Sequence, residues 1–400
     1  MAPRAVALAM TTQPLDAEVA VIGAGAVGLA VAQRLARRRS VVVIERHENY
    51  GRETSSHNSQ VVHGGMFYPT GSLKHLLCIE GNRLLHDWAD SHGVTMLRGG
   101  KLIVAVEDGE VPGLDAVMAQ ADANDVPGMV RLSGTQVRSL EPAVPAVAGL
   151  LSEKTGVVDA IGYVRSLEAA AREAGALFAY RHELGEVERI EGGFRLALVD
   201  ADGERSELRC AALVNSAGHG APALASTLGY PLDGSGDGES GVPRLRQGVN
   251  RGRYYDIVGG PIAGKISRPV YPVPPSGGDM PEHMRTAGGL GTHITVDTDG
   301  VVRLGPDTEW LTDDATLDYR ADDERRAEFL AAGRRLLPQL QDADIAPGQV
   351  GYRPKLQRAG EEPADFLVWH DRGYVHLGGI ESPGLTASLA IAGRVDEALT

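Results

Sequence analysis

An α/β fold, with strand–turn–helix units at both ends of the chain and a β-rich middle, is predicted by three observations. A glycine fingerprint, Gly23-Ala24-Gly25-Ala26-Val27-Gly28, joins an apolar run to a small-residue run near the N-terminus. A second strand–glycine–helix order closes the chain: Phe366–Leu377, then Gly378–Gly384, then Leu385–Leu399. Between them, short apolar runs alternate with breaks rich in Pro and Gly. The expected architecture is a Rossmann-type nucleotide-binding domain built from discontinuous segments, 1–90, 151–230 and 340–400. An antiparallel-sheet domain, 91–150 and 231–339, is inserted between them and is expected to bind substrate.

Each element follows from its local pattern. Glu18–Ile22 is apolar without alternation, as in a strand buried on both faces, and Leu29–Arg38 carries Ala30, Ala32 and Ala36 as a closely packed helix would. Val41–Ile44 is the next strand, ending at Glu45. Thr54–Tyr68 is polar and His-rich without a helical period. From Ser72, Leu73, Leu76, Leu77, Leu84, Leu85 and Trp88 fall on one helical face until Gly93. A strand over Leu102–Val106, a helix over Val111–Ala123, a helix over Tyr163–Ala174 and a buried strand over Leu208–Val214 follow. The run Asp233–Gly241 is glycine-rich and acidic, in the manner of a loop. Short strands then dominate (Arg253–Ile257, Val270–Val273, His293–Val296, Val301–Leu304) before a helix over Glu324–Leu337 that Pro338 stops.

Charge and composition narrow the function. With 39 Lys plus Arg against 53 Asp plus Glu, the net charge of −14 disfavours nucleic acid or an anionic membrane as partner, since both need clustered cations. A hydrophobic fraction of 43% and a charged fraction of 23% fit a globular protein with a large core. Cys78 and Cys210 are far apart and form no CxxC pair. This excludes a disulfide scaffold or zinc module and points to a reducing, cytoplasmic setting. Met1–Met10 reads as a frayed tail. Val19–Leu35 approaches the length of a membrane span, but its glycines argue for strand, turn and helix, so membrane contact is at most peripheral.

The fingerprint carries a chemical requirement. Gly23 permits the tight turn, Gly25 lets backbone approach a pyrophosphate, Gly28 lets helix and strand pack closely, and the helix start at Ala26 and Val27 offers free N–H groups and a partial positive charge. Glu45 lies 20 residues past Gly25 at the end of the next strand, where a carboxylate accepts hydrogen bonds from ribose hydroxyls. An adenine dinucleotide is therefore expected, but the motif does not choose between FAD and NAD. The C-terminal turn, with Gly379, Gly384, Leu385 and Thr386, precedes a second helix whose N-terminus suits the negative charge of a reduced flavin as well as an ordinary capped turn. Ala217-Gly218 follows a buried strand, where the missing Cβ of glycine allows close approach to a cofactor.

The block Thr54-Ser55-Ser56-His57-Asn58-Ser59-Gln60-Val61-Val62-His63-Gly64-Gly65, continuing through Tyr68, Gly71–Lys74 and Cys78 to Gly81, resembles the L-2-hydroxyglutarate dehydrogenase/oxidase family, a branch of the D-amino-acid oxidase-like FAD enzymes. So do Arg251–Tyr255, Tyr271–Pro274, Gly291–Thr295, Gly300–Pro306 and Ile380–Ile391, in the same order. The resemblance implies a D-amino-acid oxidase/glutathione reductase-like fold and noncovalent FAD. Contacts to the cofactor are implied from Arg46, Thr54, Ser55, Asn58 and Ser59, and from Val187 at the adenine. The reaction implied is oxidation of an L-2-hydroxy acid at C2 to the 2-oxo acid by hydride transfer to flavin N5, with oxygen or a quinone as acceptor. An amine or amino-acid oxidase on the same fold is the alternative. Gln60 departs from the family's usual glycine and Gly64 from its usual alanine, both beside the expected flavin face, so Gln60 is expected to shape the substrate pocket.

Such chemistry needs a base and cations for a carboxylate. Histidine suits the base, and of His57, His63 and His293, His63 is the first candidate and His293 the second, because an extended Ser59–His63 puts Ser59, Val61 and His63 on one face. His47, His75, His86, His92, His182 and His283 are expected to be structural or surface residues. No histidine has metal-ligand spacing, so no metal is expected. The resemblance points to Arg353 for the carboxylate, with Lys355, Arg251, Arg253, Tyr254 and Tyr255 as candidates to complete the site.

Overall fold

Burial on both faces makes the central strands nearly continuous in apolar residues, and these strands run parallel. In a computed structural model that describes residues 14–235, 241–274 and 292–400, strand Ala17–Ile22 pairs with Val41–Glu45 on one side and Arg205–Asn215 on the other. Leu177–Tyr180 and Tyr374–Gly378 extend the parallel order outward. The hairpin His182–Ile190 and Gly193–Asp200 joins the N-terminal half of Arg205–Asn215. Helices Ala26–Leu35, Leu73–His92, Ala160–Glu173 and Gly384–Ala398 cover one face around Leu29, Leu77, Leu85, Tyr163 and Ile391. Residues 1–13 of the tail, 236–240 of the acidic run, His283 and Gly291 lie outside the described residues.

Gly81 allows two of these helices to touch. A Cβ there would lie 2.3 Å from the carbonyl oxygen of Thr386 and 2.7 Å from the Cα of Ala387, so a side chain would push the C-terminal helix off its seat. The helix Leu73–His92 begins at Ser72, whose side chain accepts from the His75 N–H, and ends at Gly93 in the left-handed conformation. Its buried face differs in part from the expected one. Leu76 is 44% exposed, whereas Lys74 and His75 are buried by loops that close over the helix.

The second sheet runs Glu309–Leu311, Gly248–Ile257, Val302–Gly305, His293–Val296, Val270–Pro272, Lys101–Ala105, Ala148–Ser152 and Met129–Ser133. It is antiparallel except where Val270–Pro272 runs parallel to Lys101–Ala105. Ile345–Lys355 pairs with Gly248–Ile257, matching Asn250 to Arg353 and Gly248 to Lys355. This corrects the expected boundary at residue 340. The segment belongs to the second sheet, and its Pro347, Gly348, Gly351 and Pro354 hide the strand pattern. Phe366–Leu377 is likewise not one strand. It is a hairpin of Leu367–Asp371 and Tyr374–Gly378, turned at Arg372 and Gly373, both at positive φ.

Asn215, Tyr374 and His376 form a buried polar group inside the cofactor sheet, with the Tyr374 hydroxyl 2.9 Å from His376 Nδ1. Burial pushes the His376 imidazole down to about 4. The unfolded chain therefore binds a proton that the folded chain refuses. This contribution to stability is intact above about pH 6.5 and is lost as pH falls toward 4, by about 3 kcal/mol in all. Chemical denaturation of wild type and His376→Gln from pH 7 to pH 4 checks this, and the variant should show the shallower loss.

Candidate active site

The first βαβ unit places Gly23 and Gly28 where side chains cannot stand. At Gly23, with φ +100°, a Cβ would lie 2.7 Å from the Ser216 carbonyl oxygen, and at Gly28 one would lie 2.0 Å from the Gly23 carbonyl oxygen. Gly25 caps the following helix without a side chain, and Ser55 Oγ accepts from the Ala26 N–H at 2.9 Å. Glu45 is fixed by its own neighbours, accepting from the N–H groups of Ala24 at 2.8 Å and His47 at 2.9 Å. Gly23, Gly25, Ala26, Val27, Gly28, Glu45 and Arg46 all line one cavity of about 760 Å³. Thr54, Ser55, Asn58 and Ser59 line it as well. Thr54 donates to the Tyr352 carbonyl, and the Asn58 amide donates to the carbonyls of Thr54 and Ser55.

The same cavity is lined by Ala217, Gly218, Gly384, Leu385 and Thr386. Gln247 ties the two glycine turns together: its side chain donates to the Gly218 carbonyl at 2.9 Å and accepts from the Gly379 N–H at 2.6 Å. Thr386, in the first turn of the C-terminal helix, accepts from the His63 N–H at 3.0 Å. The two helix N-termini, distant in sequence, thus face one space.

On the same cavity wall, His63 Nε2 is 3.2 Å from Ser382 Oγ, and Ser382 is also hydrogen-bonded to the Tyr68 hydroxyl. Burial pushes the His63 imidazole down to about 3, and Lys101 and His293 add to the effect, so its ring is neutral at ordinary pH. His293 stacks on Tyr271, ring centroids 3.9 Å apart. Tyr254, whose hydroxyl bonds to Ser59, has its phenol raised by burial. Arg353 donates to Asn250 Oδ1 and, at 3.0 Å, to the Asp307 carbonyl; a Cβ on Gly252 would strike its guanidinium. Lys355 and Lys74 both donate to Glu381 Oε1, at 2.7 and 2.8 Å. Burial alone would raise this carboxyl, but the two ammonium groups outweigh it and hold it down to about 2.

Four expected residues are placed elsewhere. Gln60 adopts φ +60°, its N–H bonded to Asn58 Oδ1 and its carbonyl accepting from the Val158 N–H, so the assumed alternation breaks and it does not line the cavity. That backbone suits the glycine expected there from the family resemblance. Val187 is packed with Phe194, Leu196 and Leu198, because a bulge between Leu184 and Val187 shifts the register. His182–Gly185 line the cavity in its place. Gly379, at φ +62°, supports the turn through Gln247 and Leu356 without lining the cavity. Gly64, also expected at the flavin face, is closed in by Ser152, Met66 and Thr155.

Among the further candidates, Arg253 is held by Asp307, Glu309 and Asp322, and Arg251 by Asp322 and Glu309. Tyr255 packs on Phe329, so these three serve the second sheet. His57 lines the cavity, but its Nδ1 faces the Glu53 carbonyl and its ring packs on Tyr319. Sequence reasoning missed Gln247, Ser382 and Glu381. Their place as polar residues inside the Ile380–Gly384 turn was the available signal for the last two, while Gln247 offered none.

The donor set fits an adenine dinucleotide of the flavin type: a carboxylate at the ribose position, a helix start whose N-cap residue Gly25 carries no side chain, and a second helix start at the other end. The family model described as FAD dependent oxidoreductase matches residues 18–398. The mitochondrial L-2-hydroxyglutarate dehydrogenase of Arabidopsis thaliana is 36% identical over 94% of this chain and 82% of its own length. That of Homo sapiens is 26% identical over 94% and 87%. Among solved structures, L-alpha-glycerophosphate oxidase from Mycoplasma pneumoniae with FAD bound has a TM-score of 0.80 at 24% identity, covering 96% of this chain and 94% of that one. Glycine oxidase from Geobacillus kaustophilus has a TM-score of 0.74 at 18% identity, covering 96% and 94%. No described helix is long and apolar enough to cross a membrane. The protein is an enzyme with FAD as its cofactor, and the chain belongs to the FAD-dependent oxidoreductase family, on the branch that includes the L-2-hydroxyglutarate dehydrogenases.

Proposed function

We propose that this enzyme oxidises the C2 alcohol of a small L-2-hydroxy acid, of the 2-hydroxyglutarate type, to the 2-oxo acid and passes the electrons to oxygen or a quinone. The carrying observation is Arg353, which lines the cavity beside Tyr254 and His63 and bonds only to a side-chain amide and a backbone carbonyl among the described residues, so its charge has no carboxylate partner. Its remaining N–H donors are suited to a two-pronged grip on a substrate carboxylate. Tyr254 orients the same group through its hydroxyl. The His63 ring, neutral in the free enzyme, takes the hydroxyl proton at Nε2 and holds it as the imidazolium, with the Ser382 hydroxyl oxygen beside it placed to accept from the new N–H. When bound, FAD supplies the hydride acceptor. Gly23, Gly25, Gly28, Glu45, Ser55 and the Gly384–Thr386 turn would hold it without a covalent bond, and neither cysteine lines the cavity.

Anaerobic bleaching of the flavin by a panel of L- and D-2-hydroxy acids and amino acids tests the reading. Reduction by L-2-hydroxy acids is expected; reduction by amino acids alone, with release of ammonia, would replace it with the amino-acid oxidase reading. Arg353→Met should raise KM for the best hydroxy acid by roughly 10- to 100-fold, the worth of charge-assisted hydrogen bonds. Steady-state kinetics on the FAD-replete variant measures it.

A further inference from the structure

Lys101 opens the strand Lys101–Ala105 of the second sheet, its backbone paired with Ser152, and is 0% exposed. Its Nζ has no hydrogen-bond partner among the described residues. It lies 4.4 Å from the centroid of the Tyr271 ring and 4.8 Å from that of Phe67. Two aromatic faces offset only part of the cost of burying an ammonium, which ordinarily demands a paired anion. Among the described residues, the titratable groups that face it are the Cys78 thiol from the helix Leu73–His92, the Tyr271 phenol from the neighbouring strand and the His63 imidazole, and none of these is a carboxylate. Tyr271 is itself part of the cavity wall and stacks on His293, which also lines it.

Arg353 and Lys355, which line the cavity, and Lys74 behind Glu381 are in similar surplus. Arg353 touches neutral acceptors, and Lys74 with Lys355 shares the one carboxylate of Glu381, leaving one positive charge over. A ligand with one carboxylate answers Arg353 alone. Lys101, Arg353 and the Lys74–Lys355–Glu381 group together carry three uncompensated positive charges, so a second carboxylate on the ligand lowers the remaining surplus from two to one.

We propose that Lys101 is a specificity-determining residue whose ammonium, acting across the Tyr271 ring, favours hydroxy acids that carry a second carboxylate over those that carry one. The proposal rests on the hydroxy-acid reading above and names a residue for its selectivity. The effect is through space: in a water-poor wall, unit charges several ångströms apart interact far more strongly than in water. Burial brings the free lysine down to about 7, partly opposed by Cys78, and an anion in the cavity favours its charged form.

The test is binding to the oxidised FAD-loaded enzyme at pH 6, read from the perturbation of the flavin absorbance. The probes are 2-oxoglutarate and 2-oxopentanoate, which match in length and differ by one carboxylate. Lys101→Met is expected to weaken 2-oxoglutarate about tenfold and 2-oxopentanoate by less than about threefold, so that the preference collapses. Lys101→Gln repeats the comparison should the methionine variant fail to fold. Equal weakening of both acids, as a purely structural role would give, or an unchanged preference overturns the proposal and leaves the hydroxy-acid reading standing. A wild-type flavin that responds to neither acid overturns both.

Discussion

Replacing His63 by alanine is expected to slow anaerobic flavin reduction by about 10²- to 10⁴-fold while FAD stays bound, the range usual for loss of a positioned base. The separation of the two effects follows from how the residue is held. Its backbone N–H bonds to Thr386 Oγ1 and its carbonyl accepts from Asn82 at 2.9 Å and from Cys78, and all of these survive the substitution. Only the ring, with its contact to Ser382, is lost. The pH behaviour gives a second check. A ring held down to about 3 is unprotonated throughout pH 5 to 8, so in the free enzyme its proton does not shape the acid limb in that range. Stopped-flow reduction under saturating hydroxy acid measures the rate, and the flavin-to-protein absorbance ratio measures cofactor retention. Reduction at the wild-type rate would remove His63 from the base role, and His293→Ala in parallel identifies which imidazole carries it.

The legibility of this protein follows how local each feature is. The parallel strands were readable because burial on both sides leaves no polar alternation, and Ser72 and Gly93 bracket a helix because capping chemistry is local. The glycine turn and its carboxylate were readable for the same reason: Gly23, Gly25, Gly28 and Glu45 sit within one βαβ unit and line one cavity. Ile345–Lys355 was not, since its prolines and glycines obscure a strand that exists through pairing with residues about 100 positions earlier. Gln60 was misplaced because an extended run was assumed through a residue whose carbonyl is claimed by Val158, far along the chain. Lys101 resembles any polar residue at the start of a strand. Only the packing of Tyr271 and Phe67 around it turns it into a buried cation.

Gly28→Ala is expected to abolish FAD retention on purification. The added methyl carbon would stand 2.0 Å from the Gly23 carbonyl oxygen and 2.7 Å from Ser216 Oγ, and the first of these is backbone that cannot rotate aside. Relief requires the helix Ala26–Leu35 to slide away from the strand ends at Ile22 and Asn215, which moves the N–H groups of its first turn off the line that Ser55 sets through Ala26. Overpacking of this kind costs about 1 to 3 kcal/mol in stability, but binding suffers more, because several cofactor contacts share that one helix start. Gly25→Ala provides the comparison. Its methyl would meet only Ser55 Oγ, at 3.0 Å, a side chain able to turn away, so the apo fold should be nearly as stable as wild type while the methyl intrudes on the cavity. Thermal melting of the apo proteins should therefore rank Gly28→Ala well below Gly25→Ala, while reconstitution with FAD should fail for Gly28→Ala and be weakened for Gly25→Ala. Full FAD uptake by Gly28→Ala would mean that the turn is not the cofactor's seat.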